Sequence, residues 1–97
     1  MNSRFSLQIL FFDPNRWGKG SDIKNFHKDC LLTGIGFVYG GNYSHPIHYY
    51  CNMIVDELGL DPNLNNLMAG YPGILQWNDD PERTVEDVQE LVKKLNI

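Results

Sequence analysis

The chain has no run of about 18 apolar residues, so no segment is expected to cross a membrane as a helix. It has no internal repeat and no low-complexity stretch. It also has no Walker-type phosphate loop, no dinucleotide fingerprint and no Gly-x-Ser-x-Gly, and Gly18-Lys19-Gly20 is too short to stand in for any of them. Cysteine is scarce: Cys30 and Cys51 are the two in 97 residues, which excludes a disulfide framework and points to a reducing compartment. The apolar stretch from Leu7 to Phe12 stops at Asp13-Pro14 with no small-residue cleavage site behind it. A cytoplasmic location is therefore the expectation.

Basic charge is also short. Eight Lys and Arg face twelve Asp and Glu, for a net charge of −4. The imbalance is local: residues 1–40 hold five Lys/Arg and three Asp, whereas residues 41–97 hold three Lys/Arg and nine Asp/Glu. General nucleic-acid binding needs a basic face that displaces counterions, and this balance argues against it. The cluster Arg16, Lys19, Lys24 and Lys28 could meet a phosphate locally, but a solvated loop is the more ordinary reading.

Ninety-seven residues amount to one domain, 1–97, and not two. The 42% hydrophobic content, with five Phe, five Tyr and two Trp, can fill a core. So short a chain buries a smaller share of its surface than a larger one. A homo-oligomer or a bound ligand would add stability and stays open.

The expected fold is mainly α: a small bundle of about four short helices around one core, with either a strand or a short helix at the N-terminus, the strand giving an α+β alternative. Phe5, Leu7, Ile9 and Phe11 alternate as in a strand, while Phe5, Ile9 and Phe12 share a helical face. Residues 15–28 read as a loop. Asp29 is placed to cap a helix from Cys30 to Tyr39 that ends at Gly40-Gly41. Gly34 and Gly36 within it imply close approach of another element or of a ligand. Pro46 opens a helix whose stripe is Ile47, Tyr50, Cys51, Ile54, Val55 and Leu58, closed by Gly59. Asp61-Pro62 is expected to start a short helix to about Met68, with Leu64, Leu67 and Met68 inward. Thr84 caps the last helix, with Asp87 completing a capping box and Val85, Val88, Leu91, Val92 and Leu95 buried. Its acids lie at the start and Lys93 and Lys94 at the end, as the helix dipole favours.

The segment from Ile74 to Val88, with Trp77-Asn78-Asp79, Pro81, Arg83-Thr84 and Glu86-Asp87-Val88, resembles the signature of a small-protein family of unknown function found in bacteria and their phages. That signature reads I-x-x-W-N-D-x-P-x-R-T-x-E-E/D-V. Trp17-Gly18-Lys19-Gly20 is similar to the family's W-x-x-G. Cys30 to Ile35 is similar to its C-x-L-G-A-L helix, with one residue inserted before the glycine. The resemblance covers roughly residues 15–97 and leaves 1–14 as a variable N-terminal segment. It implies a helical fold and an important region around Trp77, but no reaction.

Chemically, Trp77 offers a flat apolar plate, Asn78 an amide, Asp79 a carboxylate, and Arg83 with Thr84 a cation beside a helix N-terminus. Together with Trp17 these residues would suit a nucleotide-like or phosphate-bearing ligand. Alternatively, Trp77 plugs the core, Asn78 and Asp79 brace a turn, and Arg83 pairs with a nearby acid. Tyr49, off the apolar stripe, is expected to be exposed as a contact residue.

His27-x-x-Cys30 and His45-x-x-His48, with Cys51 beyond, have the residue types of a zinc site, though the first pair is no Cys-x-x-Cys and Cys51 sits on the apolar stripe. Cys30 near a helix start is a candidate nucleophile with His27 as base, but no hydrolase signature accompanies it. No cofactor is expected. The leading expectation is a non-catalytic binding protein that captures a protein surface or a nucleotide-like anion; the family resemblance, and no residue, implies a phage-encoded modulator of a host defence system. The alternatives are a small enzyme using Cys30 or the block from Asp79 to Arg83, and a zinc-stabilised structural module.

Overall fold

The computed structural model describes residues 6–20, 28–40 and 45–97, with His45 and Pro46 described in backbone alone. These form α1 (Leu7–Leu10), a 3-10 turn (Pro14–Arg16), α2 (Leu31–Tyr39), α3 (His45–Leu58), α4 (Pro72–Asp79) and α5 (Val85–Leu95). Strand-type pairing among the described residues is limited to one parallel bridge between Trp17 and Asp29. The fold is mainly α, and the α+β alternative falls away.

The N-terminal segment is a helix and not a strand because Ser6 caps it: its hydroxyl accepts from the Ile9 N–H at 3.2 Å. Leu7, Leu10 and Phe11, spaced i, i+3, i+4, are buried. The face carrying Ile9 and Phe12 is therefore the outer one. Four residues do not sustain a helix alone; α1 holds because it packs on α2 and α5. Gly34 makes the first contact feasible. A Cβ there would stand 2.7 Å from Phe11 Cζ, so the close approach expected of this glycine is the Phe11 ring.

The start of α2 corrects one expectation. Cys30, not Asp29, is the cap, its sulfur accepting from the Thr33 N–H at 3.4 Å. The Asp29 backbone is engaged instead in the bridge, its N–H donating to the Arg16 carbonyl at 2.7 Å and its carbonyl accepting from Gly18 N–H at 3.1 Å. The end of α2 is as expected, with Gly40 at φ 120° and its N–H on the Gly36 carbonyl.

On α3 the expected stripe is buried at Ile47, Cys51, Ile54 and Val55, and Gly59 closes the helix at φ 68°. The next segment departs from expectation. Residues 61–70 are successive turns without a helix, and Leu64 and Met68 point outward, 63% and 95% exposed. The cause is side-chain competition for the backbone. Asp61 Oδ1 takes the Asn63 N–H, Asn65 Nδ2 donates to the Asp61 carbonyl, and Asn66 Nδ2 bonds the carbonyls of Pro62 and Asn63. Asn65 is the buried member, and its Oδ1 also accepts from Gly73 N–H. A Cβ at Gly73 would overlap that amide, so the loop is locked to the start of α4.

That helix, α4, is an element the sequence reading did not place. Pro72 occupies its first turn behind Tyr71, which sits in the left-handed region at φ 53°. Tyr71, Ile74 and Asn78 are buried. α5 runs as expected from Thr84, with the full capping box and Val88, Leu91 and Val92 buried. α2 is central, touching α1, α3 and α4, while α1 also touches α5 and α3 touches α4. The Cα radius of gyration, 12.3 Å, is close to the roughly 12.5 Å of a compact chain this long.

Candidate functional site

α4 carries Trp77, Asn78 and Asp79 toward the loop after the 3-10 turn. Asn78 is 0% exposed, and every hydrogen-bonding position of its amide is filled. Oδ1 accepts from the Trp17 indole N–H at 2.7 Å and from Leu31 N–H at 2.9 Å. Nδ2 donates to the Gly18 carbonyl at 3.2 Å and to Asp79 Oδ1 at 3.0 Å. The Leu31 N–H is one of the unpaired donors at the start of α2, so a side chain of α4 completes the capping of α2. Asp79 Oδ1 also accepts from Gly20 N–H at 2.8 Å, and Lys19 Nζ donates to the Pro81 carbonyl at 3.0 Å. One buried amide thus ties the Trp17 loop, α2 and α4 into a single unit.

Trp77 is half-buried against the core. The Arg83 guanidinium lies over its ring, Cζ 3.8 Å from the centroid, and Arg83 Nε donates to the Trp77 carbonyl at 2.8 Å. Arg83 Nη1 stands 3.7 Å from Asp87 Oδ2. Asp87 in turn accepts from Thr84 N–H at 3.0 Å, while the Thr84 hydroxyl accepts from Asp87 N–H at 3.3 Å. The Thr84 N–H above all, with the Thr84 hydroxyl and Arg83, holds the Asp87 carboxyl below its usual range. The anion at the start of α5 is therefore the protein's own, with Glu86 beside it. In the structure Trp17, Asn78 and Asp79 share one network, while Trp77, Arg83 and Thr84 share a second with Asp87, and the bonds just described are all made within the protein.

Tyr49 stands elsewhere, on α3, and is 57% exposed as expected. Its ring meets Tyr50 edge-on at 5.1 Å, and Tyr50 stacks on Tyr39 at 3.8 Å. The Tyr39 hydroxyl donates to the Ile97 carbonyl, and burial pushes its ionisation upward.

Cys30 is buried, with its sulfur accepting from the backbone N–H and hydroxyl of Thr33, so a substrate reaches it only if the start of α2 opens. Cys51 is buried in the core, and burial pushes its thiol up to about 12. His48 Nδ1 lies 2.7 Å from the Tyr71 hydroxyl and Nε2 3.3 Å from Asn52 Nδ2. His27 and the side chain of His45 lie outside the described residues. Among the described residues no three His, Cys, Asp or Glu side chains converge as metal ligands. Of the basic cluster, Arg16 pairs with Asp29 at 3.4 Å, Lys28 donates to the Trp17 carbonyl at 3.4 Å and Lys19 lies 6.0 Å from the centre of the Trp17 ring, while Lys24 lies outside the described residues.

Tyr49 was expected at the surface, but the face of α3 to which it belongs, and the loop behind it, were not. Tyr49, Asn52 and Asp56, at i, i+3, i+7, share a face of α3. A groove of about 300 Å³ on this side is lined by Asn52, Val55, Asp56, Leu60 and Pro62. The signal was the four-residue run Asn63-Leu64-Asn65-Asn66, too rich in backbone-seeking side chains for a helix. No family model, curated protein or solved structure matches the chain.

Proposed function

We propose that the chain is a non-catalytic binding protein whose target is the surface of another protein, met in the cytoplasm. The observation that carries this reading is the loop 61–70. It holds Leu64 and Met68 in solvent while its own backbone is pinned by Asp61, Asn65 and Asn66. Apolar side chains on a preordered loop lose little entropy on docking. Tyr49 extends the contact along α3, and Asp56 and Asp61 border it with negative charge. A partner with an apolar hollow edged by Lys or Arg has the matching chemistry.

Resemblance of the Trp77 to Val88 block to a family of bacteria and phages supports a bacterial protein as target, with modulation of a host defence system as the consequence. Capture of a nucleotide-like anion at Trp77 and Arg83 has less support, because Asp87 already occupies the cation and the helix start. Catalysis through Cys30 has less support for the reason of access given above.

The test places a photo-crosslinking residue at position 68 and, separately, at position 49 in chain expressed in bacteria. Both are expected to yield the same discrete protein adduct, weakened by Leu64→Ser and by added salt. Native mass spectrometry that finds a retained nucleotide-like molecule, with no adduct at either position, refutes the proposal.

A further inference from the structure

We infer that a second copy of this chain docks on the α1/α5 face through a two-fold, antiparallel pairing of α5. A groove of about 240 Å³ runs there, lined by Gln8, Phe12, Gln89, Val92 and Lys93. Its floor is preformed. Gln89 Nε2 donates to the Phe11 carbonyl at 2.7 Å, and Gln8 Nε2 to Asn96 Oδ1 at 3.3 Å. Phe12 forms one wall and is 77% exposed, and Ile9, one helical turn away, is 54% exposed. Two large apolar side chains in water beside a preformed groove are the hallmark of a contact surface.

Charge selects the occupant. Glu86, Gln89 and Lys93 lie at i, i+3, i+7, on one stripe of α5, of which Gln89 and Lys93 line the groove. Glu86 and Lys93 are seven residues, or about 10 Å, apart along the axis. Neither makes an ion pair among the described residues, in contrast to Lys94, which meets Glu57 at 2.6 Å. The stripe is acidic at the helix start and basic at its end. A copy of itself turned end over end is its electrostatic complement: Glu86 of each chain faces Lys93 of the other, and the two grooves and Phe12 rings meet near the axis. A parallel copy would set like charges together. The patch is small, so the pairing is a concentration-dependent dimer, not an obligate one.

Sedimentation velocity from about 5 to about 500 µM brackets the micromolar-to-millimolar range of such contacts. Dimer is expected to grow across that range and to weaken with salt. Phe12→Ser, at a side chain outside the core, is expected to abolish it with an unchanged circular dichroism melt. Glu86→Lys or Lys93→Glu alone is expected to weaken dimerisation at least about 10-fold, since symmetry places the repulsion twice. The double reversal Glu86→Lys with Lys93→Glu is expected to restore it. Because reversal at either end of α5 opposes the helix dipole, Glu86→Gln and Lys93→Gln serve as a milder pair, each weakening the dimer without melting the helix. A chain that stays monomeric throughout overturns the inference, and so does a dimer indifferent to Phe12→Ser or unrestored by the double reversal. Neither result bears on the loop 61–70, so the protein-docking proposal stands or falls separately.

Discussion

Replacing Asn78 by alanine removes the amide that joins three parts of the molecule. The substitution leaves the Trp17 indole N–H and the Leu31 N–H without an acceptor, in surroundings where Trp17 is 9% exposed and Leu31 is buried. Each orphaned buried donor costs about 1–3 kcal/mol. The Gly18 carbonyl also loses a donor. The total, about 3–5 kcal/mol, is a large share of the roughly 5–15 kcal/mol that holds a domain together. In a chain of this size it lowers the melting temperature by roughly 15–30 °C.

Thermal and urea unfolding by circular dichroism and tryptophan fluorescence reads the loss. Trp17→Phe keeps an aromatic ring, smaller than the indole, and deletes the donor, so alone it costs about 1–3 kcal/mol from the lost bond and the space left. In the Asn78→Ala background it removes an orphan instead of a bond. The double variant should therefore be more stable than the sum of the single losses by at least about 1 kcal/mol. An Asn78→Ala loss under about 1 kcal/mol, or simple additivity with Trp17→Phe, would show that the amide does not organise the region.

Other substitutions test other parts of the fold. Gly34→Ala gains about 1 kcal/mol of helix propensity but drives a methyl against Phe11 Cζ, for a net loss of about 1 kcal/mol that Phe11→Leu should relieve in urea melts. Thr84→Ala should cost about 1 kcal/mol by loss of the α5 cap, read in the same melts. The Cys51 thiol is raised from 9.0 to about 12 in the folded chain, so as pH rises through 9 toward 12 the unfolded state releases its proton while the native state still holds it. Stability should then fall with rising pH by up to about 1.4 kcal/mol per unit, and urea midpoints in Cys51→Ala should lose that slope. In the acid range the sign is the opposite. Asp87 is held below 3.8, so its contribution is present above that pH and should fade as pH drops through the folded value, an effect that Thr84→Ala should diminish.

Much of the helical framework could be read because the deciding interactions lie within one element. In α5 the cap, the apolar stripe and the charge gradient all lie between Thr84 and Leu95, and in α3 the stripe and its closing Gly59 are equally local. Gly34 announced a close neighbour, though not which one. α4 stayed hidden for a physical reason: the fully buried position one turn after Ile74 is an asparagine, and Gly70-Tyr71-Pro72-Gly73 ahead of it reads as a breaker. Polar burial of that kind becomes intelligible only with its partners, which lie 47 and 61 residues away. The Trp77 to Thr84 block stood out as unusual, but sequence spacing does not distinguish groups turned toward a ligand from groups turned toward each other. The asparagines of 63–66 misled in the opposite direction, since Leu64, Leu67 and Met68 suggest a stripe only if the intervening side chains leave the backbone alone.

The position of α1 has a consequence for how the molecule comes into being. Its four residues are held by the Phe11 ring on Gly34, by Gln89 reaching the Phe11 carbonyl, and by the Leu7 N–H on the Ile97 carbonyl at 2.7 Å. Two of those three anchors belong to α5 or to Ile97 just beyond it. On a ribosome α1 is thus synthesised well before the partners in and after α5 that hold it, since Gln89 lies 78 residues beyond Phe11. Its exposure to chaperones during that interval is written into the topology.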